Sequence, residues 1–178
     1  MKSKLYLETT IPSYLTSWPS RDLIIAGHQQ ITKEWWKKRK GAFAIYVSQF
    51  VIDEAKAGDD EAARERLKAI SGLPLLDITR EVERLASCIL ASGVIPSKAA
   101  TDAAHIAIAT VHGMEFLMTW NCVHIANAGI TKEVARICGQ EGFECPVICT
   151  PEELLAGRGE SHLFQVAQKR RDARHPKS

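Results

Sequence analysis

Residues 99–120 read AATDAAHIAIATVHGMEFLMTW. Residues 98–112 are apolar on nearly every side of a helical projection, as a buried helix requires. Gly113 stops that helix, and residues 116–120 follow as an apolar run of strand length. The alternation repeats outward from this segment. Strands are predicted at residues 5–7, 42–48, 75–78, 116–120 and 147–149, and helices at 22–39, 49–57, 61–70, 80–91 and 125–139. Strands alternating with helices predict an α/β fold with a parallel sheet covered on both faces. Pro12 marks a turn after the first strand, Ser48 and Thr79 are placed to cap the helices that follow them, and Gly129 weakens the middle of the 125–139 helix.

The chain has 178 residues, enough for one domain with one sizeable core. A domain is expected over residues 1–155, followed by a basic, partly flexible tail at 156–178. The net charge of +2 does not by itself mark a nucleic-acid binder. The positive charge is clustered, however: Lys33, Lys37, Lys38, Arg39 and Lys40 form one group, and Arg158, Lys169, Arg170, Arg171, Arg174 and Lys177 another. Such clusters suit a phosphate backbone, and they also suit a solvated helix face. The five cysteines are odd in number and lack a Cys-x-x-Cys pair, which reads as reduced thiols. The N-terminal apolar run is too short for a signal peptide, and no segment approaches a membrane span. A cytoplasmic location without membrane association is expected.

In open α/β sheets, ligands sit beyond the carboxyl ends of the strands. Glu8 follows the first strand directly, Glu54 lies in the helix after the second, and Asn121 follows the fourth. Asp102 lies in the apolar helix and shares a face with His105, three residues on. A carboxylate in such a helix needs a partner, because an unpaired buried charge is expensive. Acids that meet at one point need a cation between them, and hard oxygen ligands suit Mg²⁺ or Mn²⁺. There is no Gly-x-Gly-x-x-Gly, no P-loop and no Gly-x-Ser-x-Gly elbow.

Four segments together resemble the PIN-domain family, and most closely its VapC-type toxin ribonucleases. They are Tyr6-Leu7-Glu8-Thr9-Thr10-Ile11-Pro12-Ser13-Tyr14, Val47-Ser48-x-x-Val51-x-x-Glu54, Thr101-Asp102-Ala103-Ala104-His105-Ile106-Ala107 and Leu117-x-Thr119-Trp120-Asn121-x-x-His124-Ile125. The resemblance implies a Rossmann-like, three-layer α/β/α fold around a central, mostly parallel five-stranded sheet. It also implies an Mg²⁺- or Mn²⁺-dependent endoribonuclease, the toxin of a type II toxin–antitoxin system, in which metal-activated water hydrolyses RNA. By the family pattern, Glu8, Glu54 and Asp102 hold the metal. Glu8 stands where the family has Asp, and Asn121 stands where it often has Asp. The amide removes a negative charge and favours one firmly bound ion over two. Thr9 and His124 are accessory. The partners implied are an RNA substrate, an antitoxin and a second copy of the chain, with the aromatic stretch 23–36 compatible with pairing. The alternative reading is a catalytically weak or inactive PIN-like module that binds RNA or protein.

Overall fold

The computed structural model describes residues 2–155 and, beyond them, positions 165, 166, 169 and 172. Strand β1 (Ser3–Leu7) is followed by α1 (Thr10–Thr16) and α2 (Leu23–Lys38). Strand β2 (Phe43–Ser48) leads into α3 (Gln49–Ala55) and α4 (Asp60–Ile70). Strand β3 (Leu75–Leu76) precedes α5 (Arg80–Ala91) and α6 (Ala100–Val111). Strand β4 (Phe116–Met118), α7 (Ala128–Gln140), β5 (Val147–Cys149) and α8 (Pro151–Leu155) complete the order.

The strands lie in the order β3-β2-β1-β4-β5, and all four pairings are parallel. The sheet is therefore wholly parallel, and with its flanking helices it has the Rossmann-like, three-layer arrangement. The chain steps outward from β1 to β3, then returns through α5 and α6 to place β4 on the other side of β1. The strand order reverses between β1 and β4, which makes the carboxyl edge of that pair a topological switch point. A strand covered on both faces reads as a continuous apolar run, and Leu5, Tyr6 and Leu7 are all fully buried. In α6 every residue from Ala103 to Thr110 is buried. Its alanines let the helix backbone lie close to its neighbours, and α6 packs against α5. Among the described residues, no helix is long and apolar enough to cross a membrane.

The local expectations differ from the structure at several places. Pro12 does not end regular structure; it is the third residue of α1. The N–H groups of a first helical turn have no intrahelical acceptor, so proline loses nothing there. Helix α7 begins at Ala128 with the Asn127 side chain capping it, which puts Gly129 in the first turn rather than mid-helix. Thr79 caps α5 as expected, by accepting the Val82 N–H. Ser48 occupies a cap position but makes no capping bond; its hydroxyl is engaged with Tyr6. Strands β3 and β4 are shorter than the apolar runs that suggest them. The expected basic tail lies, apart from the four positions named, outside the described residues.

Ile106 is fully buried, whereas Trp18 is 89% exposed. Ile106→Ala is expected to lower unfolding free energy by about 2–5 kcal/mol, and Trp18→Ala to change it by less than about 0.5 kcal/mol. Urea unfolding followed by circular dichroism measures both. Equal effects would contradict this placement of the core.

Candidate functional site

The site is built where β1 and β4 end. Glu8 extends their ladder by one step, donating its N–H to the Met118 carbonyl at 3.1 Å. Its side chain is only 4% exposed, so its charge must be met by hydrogen bonds. Oε1 accepts the Thr10 N–H at 3.1 Å. Oε2 accepts the Thr10 hydroxyl at 2.5 Å and the Thr119 hydroxyl at 2.6 Å. Those hydroxyls in turn accept the N–H groups of Trp120 and Asn121, both at 2.8 Å. The buried carboxylate thus organises the exits of both strands.

Glu54 lies late in α3, behind β2, and its side chain keeps 38% of its surface exposed. Oε2 accepts the Thr9 hydroxyl and lies 2.9 Å from His105 Nε2. Burial works to raise the Glu54 carboxyl, but the hydrogen bonds from His105 and Thr9 prevail and hold it below the ordinary glutamate value. His105 is fully buried. Its Nδ1 lies 2.7 Å from the Tyr6 hydroxyl, which lies 2.7 Å from Ser48 Oγ. Burial pushes the Tyr6 phenol far above its ordinary value, so it stays protonated.

Asp102 sits on α6, one turn before His105. Its Oδ1 accepts the Asn121 amide at 3.0 Å, and its Oδ2 lies 2.9 Å from His124 Nδ1. The Asn121 carbonyl oxygen is itself occupied, accepting the His124 N–H at 3.0 Å. Asn121 therefore orients Asp102 and closes the turn after β4, using both ends of its amide on protein.

Among the described residues, Glu8, Glu54 and His105 each offer a ligand atom, all within 4.8 Å of one another. Two carboxylates at such a distance repel by roughly 3 kcal/mol at an effective dielectric of about 20, which a cation between them would reverse. Asp102 lies outside that group and is paired with Asn121 and His124. So the structure gathers two of the three expected acids around one point and holds the third, on α6, in separate contacts with Asn121 and His124. Sequence reasoning assigned no role in the site to His105, Tyr6, Thr10, Thr119 or Ser48. The signal was present for two of them: a histidine in an apolar helix and a tyrosine in a buried strand both demand polar partners.

The aromatic and basic residues divide by location. His28 stacks on Trp120, with ring centroids 3.9 Å apart and planes at 14°, and Tyr14 lies against both. This cluster adjoins the site through Trp120. Trp35 is core, and Trp36 packs against the core with Lys40 over its ring. Lys37, Lys38, Arg39 and Lys40 end α2 and lead into β2. They therefore lie at the amino edge of the sheet, opposite the carboxylates, and do not line the site.

Thr119→Val keeps the side-chain shape and removes a donor to a buried carboxylate. It is expected to cost about 1.5–3 kcal/mol of stability at neutral pH, read from urea unfolding. A variant as stable as the parent would show that Glu8 does not depend on that hydroxyl. No family model and no curated protein matches this sequence.

Proposed function

We propose that this protein is a divalent-metal-dependent ribonuclease of the PIN type, acting in the cytoplasm as the toxin of a toxin–antitoxin pair. The observation that carries this reading is the convergence of Glu8 and Glu54 at the switch point, where α/β folds bind their ligands. The donor set fits a hard cation. Among the described residues, both donors to Glu54 fall on Oε2 and none reaches Oε1. Glu8 Oε1 carries a single N–H bond, and a carboxylate oxygen has two acceptor sites.

Glu8 and Glu54 would hold Mg²⁺ or Mn²⁺, with Asp102 supplying the third carboxylate from the next turn of α6. When bound, such a cation lowers the pKa of its water and offsets charge on a phosphoryl oxygen. The remaining work falls to the chain. Thr9 ties Glu54 to the end of β1. Asn121 and His124 keep Asp102 in one orientation. Glu54, held below the ordinary glutamate value, is in the ionised state that a cation requires. RNA is the substrate by resemblance to the VapC-type segments. For the partner chains, the support is exposed apolar side chains before and in the first turn of α2: Trp18, Leu23 and Ile24 are 89%, 88% and 71% exposed. Such side chains suit an antitoxin or a second copy.

A second reading is favoured by one observation. The three protein donors on Glu8 already satisfy its charge without a cation, as they would in a PIN-like module that binds without cutting. Metal separates the two. A site in the folded state raises the melting temperature as Mn²⁺ is added, and a bare scaffold does not respond.

Purified protein is expected to cleave single-stranded RNA with Mg²⁺ or Mn²⁺ and to stop when the metal is chelated. Glu54→Gln and Asp102→Asn are each expected to lower the rate by about a hundredfold or more, at or beyond the upper end of what residues that merely support a metal ligand cost. Full activity in chelator, or in both variants, would overturn the proposal.

A further inference from the structure

The distances place His105 Nε2 where a metal ligand could stand, within 4.8 Å of oxygens from Glu8 and Glu54. The hydrogen-bond directions give it a different task. The fully buried Ser48 hydroxyl has one hydrogen-bond partner among the described residues, the Tyr6 oxygen at 2.7 Å, so it donates there. Tyr6 then donates its own proton to His105 Nδ1, also at 2.7 Å. An imidazole that accepts at Nδ1 carries its proton on Nε2, which donates to Glu54 Oε2 at 2.9 Å. In this order every buried proton has an acceptor. In the reverse order the Ser48 hydroxyl has no acceptor among the described residues.

We propose that His105 is a positioning residue: the buried series Ser48, Tyr6, His105 fixes its Nε2–H tautomer and pins Oε2 of Glu54, so that Oε1 faces the cation and the site is built of oxygen ligands alone. The consequence is metal selectivity. A ligating imidazole would favour zinc, cobalt or nickel, whereas an all-oxygen set favours Mg²⁺ and Mn²⁺. The support extends across the fold. Tyr6 comes from the central strand β1, Ser48 from the end of β2 and His105 from α6, and the His105 ring is packed edge-on against Phe50 at 6.2 Å. The ring has little room to turn away.

The tautomer is read directly by nitrogen NMR of the full chain labelled with ¹⁵N-histidine, with the His105 signals assigned by their loss in His105→Gln. The expected result is a protonated Nε2 and an unprotonated Nδ1, both unchanged when Mg²⁺ is added to saturation. A proton on Nδ1, or loss of the Nε2 proton on adding metal, overturns the proposal. A second arm measures Mn²⁺ affinity by electron paramagnetic resonance. His105→Gln, which keeps an N–H, should bind Mn²⁺ within about threefold of the parent. His105→Leu, which keeps bulk only, should bind about 10–100-fold more weakly. Unchanged affinity in His105→Leu also overturns it. The affinity arm rests on the metal-dependent reading above. If the parent chain binds no Mn²⁺, that reading falls, while the NMR arm still decides whether His105 holds Glu54.

Discussion

The arrangement of this molecule depends on a carboxylate that is nearly removed from water. Glu8 ends the central strand with its charge buried, and three protein donors make that tolerable. Those donors come from both sides of the strand pair. Thr10 is the first residue of α1, and Thr119 is the first residue after β4. Each hydroxyl passes the constraint on, by accepting an N–H from Trp120 or Asn121. Asn121 then reaches Asp102 on α6. One buried charge thus fixes how the chain leaves β1, how it leaves β4, and where a carboxylate on a separate helix points.

Sheet topology explains why the other acids arrive at the same edge. Parallel strands send every strand-to-helix turn to one side. β1 lies between β2 and β4, so α3 and the turn after β4 flank the turn after β1. Glu54 approaches from the first direction and Asn121 from the second. Helix α6 crosses back over β1 and brings Asp102 and His105 in on one face. The site is therefore a product of strand order, and the small residues of α6 allow the close approach that makes it compact.

Much of this was legible in the sequence. The five strands, the parallel class and most helices follow from apolar runs separated by glycine and polar turns. The segments around Glu8, Glu54, Asp102 and Asn121 were correctly placed next to strand ends or on the buried helix. What was not legible depends on contacts between residues far apart in the chain. Ser48 looks like a helix cap, because capping is local chemistry; its real partner, Tyr6, is forty-two residues away. Asn121 looks like a substitute ligand, because its type and position match an acid. Its amide also orients protein groups, the oxygen accepting the His124 N–H and the nitrogen donating to Asp102, which only the folded turn reveals. Pro12 misleads for a different reason: proline's penalty applies within a helix and not in its first turn. The lysine cluster at the end of α2 shows the same limit. Charge density is visible in sequence, but its distance from the carboxylates is set by helix direction.

The central claim is that Glu8 and Glu54 form a cation site at the switch point between β1 and β4. Anomalous diffraction from crystals of the full chain soaked in Mn²⁺, collected near the manganese absorption edge, tests it most directly. The account predicts one anomalous peak between the Glu8 and Glu54 carboxylates, with His105 still on Glu54. An absent peak at saturating Mn²⁺, or a peak bonded to His105 Nε2, would contradict it.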